Sequence, residues 1–126
     1  MKIKALKIEP KKNPVVVEME NTLEELQRVV DGYIEAVYPF EDPVVIIANE
    51  EGKLNGLPLN RALKGDDGKV YDIIAGTFVL VGCGEDGDFI SLSEEMLKRY
   101  EKRFHDAETF LWLGGTIVVV PVPALN

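Results

Sequence analysis

The sequence predicts an α+β fold, with a mixed or mainly antiparallel sheet packed by two principal helices and a short helix near residues 58–63. Two runs of mostly β-branched and aliphatic residues, at 44–49 and 73–82, are typical of strands buried on both faces. Two amphipathic segments, about residues 22–31 and 92–104, have the apolar spacing of surface helices. Together these patterns predict strands and helices that share one core.

The helix ends are marked by local signals. Thr22 with Glu25, and Ser91 with Glu94, have the spacing of capping boxes, and Gly32 follows the first helix where a left-handed cap is expected. The second helix carries an apolar stripe at four-residue intervals, which indicates a core face more strongly than a cofactor site. The stripe consists of Leu92, Met96, Tyr100 and Phe104.

Four further segments have strand character. "KIKALKIEP" and "PVVVEME", joined by the turn "KKN", predict an amino-terminal hairpin, and "YIEAVYPF" predicts another strand. In "TIVVVPV", Pro121 predicts an edge strand because proline has no N–H to donate to a neighbouring strand. Pro123 comes directly after this segment. Since an edge strand of this composition would be buried well by a partner, a homo-oligomer is a further expectation.

Composition limits the partners. The 126 residues suit one domain, 1–126, and 22 acidic against 14 basic residues give a net charge of −8, which repels nucleic acid. The longest apolar run is too short to span a bilayer, and no amino-terminal signal is evident. A single cysteine, Cys83, suits a reducing compartment. We therefore expect a cytoplasmic protein that binds neither nucleic acid nor membranes directly.

Catalytic and metal motifs are missing from the sequence. One cysteine and one histidine, His105, are too few for the common metal sites, and no Walker, nucleophile-elbow or kinase motif is present. The carboxylates of "EDGD" lack the spacing of a calcium loop. We expect no enzyme activity, no metal and no cofactor. A nucleotide-cleaving enzyme with His105 as acid or base is a weaker alternative.

Polar residues between the two hydrophobic runs form the candidate site. Arginine offers a planar fork of donors for phosphate, so Arg61 is expected to bind an anionic ligand. The amides of Asn60 and Asn49 are expected to form hydrogen bonds with a base or a ribose. Backbone N–H groups near Gly76 and Thr77 would assist. Two aromatic residues, Tyr38 and Phe40, are expected to stack on a base.

A purely structural interpretation of the same residues is open. Buried arginines are usually paired, so Arg61 would contact Asp72 or Glu50. Asn49 would then cap the turn "NEEG".

The segments "YIEAVYPFEDPVVIIANEEGKLNGLPLNRAL", "YDIIAGTFVLVG" and "DFISLSEEMLKRYEKRF" resemble a family of small bacterial, plasmid and phage proteins known as domain of unknown function 3846. The resemblance extends from about Gly32 to Phe104, and the segment after His105 departs from it. The resemblance implies an accessory gene of mobile elements, and such proteins frequently antagonise host defence.

Two functions follow as hypotheses. The first is a counter-defence protein, in the host cell cytoplasm if phage-encoded, that sequesters a small nucleotide signal of cyclic dinucleotide or cyclic ADP-ribose type without catalysis. The second is an acidic protein-binding inhibitor of a host defence enzyme, with a surface that mimics the charge of DNA.

Overall fold

The computed structural model describes residues 1–125 and contains, within them, ten strands and two helices. The elements in chain order are β1 Lys2–Ile8, β2 Val15–Glu20, α1 Leu23–Val30, β3 Ile34–Val37, β4 Val44–Asn49, β5 Leu59–Lys64, β6 Val70–Ala75, β7 Phe78–Cys83, β8 Phe89–Ile90, α2 Glu94–Arg103, β9 Ala107–Leu113 and β10 Thr116–Val122.

The central sheet has the strand order β2-β1-β7-β4-β3, with β8 paired to β7, and every pairing in it is antiparallel. The amino-terminal hairpin β1–β2 and the interior positions of β4 and β7 are as predicted. Because successive side chains alternate between the faces of a strand, β4 contributes Val44 and Ile46 to one face and Val45 and Ile47 to the other. Both faces of the sheet are therefore covered.

The two helices lie on opposite faces of this sheet. Leu26 and Val30 of α1 belong to the core cluster that contains Ile47, whereas Leu97 and Tyr100 of α2 belong to the cluster that contains Ile46. The α+β class and both principal helices are confirmed. Neither helix in residues 1–125 is long and apolar enough to cross a membrane.

One of the two predicted amino-terminal helix caps is correct, and the left-handed residue that ends α1 is Asp31, with φ +61°, and not Gly32. Oγ1 of Thr22 accepts a hydrogen bond from the Glu25 N–H at 3.2 Å. For α2 the cap is Ser93, whose Oγ accepts from Met96 N at 3.2 Å, and not Ser91. Oγ of Ser91 instead accepts from the Lys4 N–H, which joins the entry of the helix to β1.

The predicted short helix near 58–63 is wrong, because these residues form β5, which pairs with β6. The apolar residues of "GLPLNRAL" have spacings that are also compatible with a helix turn. The pairing of β5 with β6 is irregular, because Leu59 opposes Ala75 while Arg61 opposes Ile74. Asn60 is thus the extra residue of a bulge, which disturbs the alternation expected of a strand.

The predicted continuous strand 73–82 is divided. Gly76, with φ +80°, and Thr77 separate β6 from β7. The chain therefore leaves the β5–β6 hairpin and enters the central sheet at this point, and the hairpin packs beside α2 through Leu63 and Ile74.

Candidate functional site

Arg61 is the most completely buried large polar side chain of the described residues, with 1% of its surface exposed. Its Nε donates to the carbonyl of Phe104 at 3.1 Å, and its Nη2 donates to the carbonyl of Lys12 at 2.6 Å. Its Nη1 donates to Oδ1 of Asn60 at 2.9 Å. These donors are therefore directed at the protein interior and not at a surface cleft.

Asn60 completes this buried network. Its Nδ2 donates to the carbonyls of Ile8 and Gly76, each at 2.9 Å, while its Oδ1 accepts from Arg61. The β5 bulge explains how two consecutive polar residues can both be buried, since the side chains of a regular strand alternate between faces. The pair joins the end of β1, the β1–β2 turn, the β6–β7 turn and the end of α2.

The charge of Arg61 is stabilised by peptide dipoles and by nearby carboxylates. Phe104 is the carboxyl-terminal cap of α2, where the helix dipole is negative and favours a cation. Burial lowers the pKa of Arg61, whereas the charges of Glu108 and Asp106 oppose this shift. The two expected alternative partners lie elsewhere: Asp72 is paired with Lys53 at 2.7 Å, and Glu50 lines a surface cleft.

Asn49 has the structural role that the sequence left open. Its Oδ1 accepts from the Glu51 N–H at 2.8 Å, which caps the turn "NEEG". Its Nδ2 donates to the carbonyls of Val30 and Asp31 at 3.1 and 3.0 Å, where α1 ends. Asn49 thus fixes the end of α1 to the end of β4.

Gly76 lies next to Asn60, and neither Gly76 nor Thr77 lines the clefts described below. The Gly76 N–H donates to the carbonyl of Pro58 at 2.7 Å, and its carbonyl accepts from Asn60. A Cβ at this position would lie 2.8 Å from Cδ1 of Leu57. Thr77 is half-buried.

Tyr38 and Phe40 lie near each other but in different environments. Tyr38 is exposed, whereas Phe40 packs against Tyr100 with ring centroids 4.7 Å apart. The guanidinium of Arg103 lies 4.7 Å from the centroid of the Phe40 ring. Of the seven predicted ligand residues, the structure thus brings Asn60, Arg61 and Gly76 together, with Tyr38 and Phe40 in a separate place.

His105 forms a local ion pair. Its Nδ1 lies 2.8 Å from Oε2 of Glu101, one turn earlier, and this carboxylate raises the pKa of His105 above its ordinary value. Cys83 is half-buried at the end of β7. No group of three or more histidine, cysteine, aspartate or glutamate side chains in residues 1–125 could hold a metal ion.

An acidic cleft of about 170 Å³ opens beside the β4–β5 connection. Four carboxylates and one ammonium line it, which gives a charge of −3. The acidic residues are Glu35, Glu50, Glu51 and Asp72, and the basic residue is Lys53. Because one cation faces four carboxylates, the cleft favours a positively charged ligand.

An aromatic cleft of about 420 Å³ lies next to it, between the β5–β6 hairpin and the β9–β10 hairpin. Tyr71 and Trp112 line this cleft and are 59% and 72% exposed. Three residues, Lys53, Asp72 and Ile73, line both clefts. The two clefts therefore adjoin along β6.

This surface is not predicted by the sequence. The aromatic cleft joins β6 to β9 and β10, which are about forty residues apart in the chain, so no local motif marks it. Two signals were present in the sequence: the lone tryptophan, Trp112, and a segment from 109 to 126 without a charged side chain. A large aromatic residue in such a segment is typical of an interaction surface.

A protein-family model matches most of the chain. The family model described as a domain of unknown function (DUF3846) matches residues 1–105. No curated protein and no solved structure matches the sequence. The matched residues contain the central sheet, both helices and the Arg61 network, whereas β9 and β10 follow the matched segment.

Proposed function

The chain belongs to the DUF3846 family, and from the two adjoining clefts on its surface we propose that it is a non-catalytic protein that binds a basic, partly apolar segment of a partner protein. The observation that carries the proposal is the sharing of Lys53, Asp72 and Ile73 by both clefts. A single bound segment can therefore reach an acidic and an aromatic environment at once.

The chemistry of the two clefts defines the segment. A lysine or arginine of the partner would enter the acidic cleft, beside Glu50 and Glu51, where carboxylates are in excess. An apolar side chain a few residues away would lie between Tyr71 and Trp112, whose rings also attract cations. Exposed aromatic side chains that become buried on binding, with charged surroundings, are typical of protein-binding sites.

The net charge of the molecule supports the same partner class. A chain of charge −8 attracts a basic surface over several ångströms, which accelerates association at low ionic strength. The phage and plasmid setting implied by the family resemblance makes a host defence enzyme with a basic surface the first partner to test, in the cytoplasm of the host cell. This is the acidic-inhibitor hypothesis with a defined contact surface.

The nucleotide-sequestration hypothesis has less support from the geometry. Arg61 and Asn60 direct their polar atoms to backbone carbonyls and to each other, and the acidic cleft repels phosphate. It stays a prediction, and calorimetric titration with cyclic dinucleotides and cyclic ADP-ribose derivatives tests it. Heat of binding that survives in Glu50→Gln/Glu51→Gln would favour it over the protein-binding proposal.

The lone tryptophan provides a direct test of the proposal. A peptide of alternating lysine and leucine should change the fluorescence of Trp112 saturably, and added salt should weaken that binding. A peptide of alternating glutamate and leucine should leave the fluorescence unchanged. Equal responses to the two peptides, or none to either, would refute the proposal.

A matched pair of variants then locates the site. Glu50→Gln/Glu51→Gln removes two charges from the acidic cleft and should weaken lysine–leucine binding about tenfold or more, as expected for the loss of two close charge pairs. Glu18→Gln/Glu24→Gln removes two exposed charges from β2 and α1 and leaves the clefts unchanged. If both variants weaken binding equally, only the total charge matters and the cleft is not the site.

A further inference from the structure

The outer edge of β10 has the composition of an interior strand. Three strands of four or more residues in the described chain contain no charged side chain: β4, β7 and β10. The first two are paired on both edges, β4 with β3 and β7, and β7 with β1 and β4. Among residues 1–125, β10 pairs with β9 alone.

The other strands that end a sheet carry charges. Glu18 and Glu20 lie on β2, Glu35 lies on β3, and Asp72 lies on β6. Charged side chains on an edge strand are a common protection against pairing with another chain. β10 has no such protection along seven residues, and only Pro121, which lacks an N–H, interrupts its row of donors.

The chain on either side of β10 is also uncharged, and the one charged residue of its partner strand, Glu108, opposes Pro121 and accepts a hydrogen bond from the Ala62 N–H. No charged side chain occurs between residues 109 and 126, although 29% of the chain is charged. The tip of the hairpin exposes Leu111, Trp112 and Leu113. A two-stranded ribbon with so much exposed apolar surface gains stability from additional packing.

We infer that β10 pairs with β10 of a second copy, antiparallel and about a two-fold axis, to form a homodimer. Two molecules that each carry a charge of −8 repel one another least where they meet through an uncharged surface, and β10 provides one. An antiparallel pair of identical strands is self-complementary, as a two-fold interface requires. Since backbone groups at the edge would form the ladder, the aromatic cleft on the face of the ribbon stays open in each copy.

The inference goes beyond the proposed function and is independent of it, because the dimer uses the edge of β10 and not the clefts. Sedimentation equilibrium of the full chain should give twice the 14.0 kDa chain mass at high concentration, with dissociation on dilution. Hydrogen exchange of residues 116–122 should slow as the dimer forms. A monomer at the highest soluble concentration, with exchange unchanged, would overturn the inference.

Two matched variants test whether β10 forms the dimer interface. Val118→Lys puts a charge in the middle of β10 and should raise the dimer dissociation constant at least about a hundredfold, since the two-fold axis brings two such lysines together. Val16→Lys makes the same change on β2, the exposed edge strand of the central sheet, and should leave the dimer intact. If Val118→Lys does not fold, hydrogen exchange of residues 116–122 in the unaltered chain still tests whether β10 forms the interface. A dimer that persists in folded Val118→Lys, or dissociates in Val16→Lys, would contradict the assignment.

Discussion

Nη1 of Arg61 lies 2.9 Å from Oδ1 of Asn60, and these two side chains together bind the carbonyls of Ile8, Lys12, Gly76 and Phe104. A guanidinium buried against carbonyls needs no carboxylate in direct contact. The carboxylates of this acidic chain can therefore lie at its surface, where four of them line one cleft.

Replacement of Arg61 by methionine should destabilise the fold strongly. Met fills much of the same space but donates no hydrogen bond, so the carbonyls of Lys12 and Phe104 lose their arginine partner in a buried environment. We expect the free energy of unfolding to fall by about 3 kcal/mol, measured by urea denaturation. Arg28→Met is the matched control, because Arg28 is exposed and pairs with Glu25 on the surface of α1. Equal losses in the two variants would contradict the structural role of Arg61.

Gly76→Ala should cost more stability than Gly87→Ala. Both glycines have positive φ, +80° and +88°, so alanine is strained at each. Only at Gly76 does a new Cβ meet another residue, Leu57, at 2.8 Å, whereas nothing lies within 4 Å at Gly87. We expect a loss of about 1 kcal/mol for Gly87→Ala and about 1–3 kcal/mol more for Gly76→Ala, from thermal and urea unfolding. Similar losses of stability in the two variants would show that the Leu57 side chain moves aside without destabilising the fold.

The titration of His105 is a clean measurement because it is the only histidine. Its hydrogen bond with Glu101 raises its pKa above the ordinary 6.5, so the charged form is favoured in the folded state. By linkage, this pair stabilises the fold fully below pH 6.5, and the contribution is lost as pH rises through the raised pKa. Proton NMR of Glu101→Gln should show a lower His105 pKa, and Glu95→Gln, which changes a partner of Arg99, should leave it unchanged.

Much of the fold follows from local sequence patterns. The interior strands β4 and β7 and helix α1 are predictable because burial on two faces and amphipathic spacing leave direct signatures. The sequence predicts a helix at residues 58–63, which is wrong because a bulge at Asn60 interrupts the alternation of β5. A bulge depends on the partner strand, which local periodicity does not reveal.

The candidate site could be predicted from the sequence only in part. The sequence marks Arg61 and Asn60 as candidates because polar residues between hydrophobic runs are unusual, and in the structure they bind carbonyls of distant segments. The identity of those segments is set by tertiary packing. The same limit applies to the aromatic cleft, where Tyr71 and Trp112 come from different hairpins.

Trp112→Ser should show that peptide binding at the surface and the stability of the fold depend on different residues. Trp112 is 72% exposed, so its loss should change the free energy of unfolding by no more than about 0.5 kcal/mol. It should nevertheless abolish binding of the lysine–leucine peptide, measured by calorimetry because the fluorescent residue is gone. Tyr33→Ser removes an aromatic side chain of similar exposure, 70%, that does not line the cleft, and should alter neither property. Unchanged peptide binding in Trp112→Ser would exclude the aromatic cleft as the anchor, since this variant removes one of its two exposed rings and leaves the acidic cleft intact.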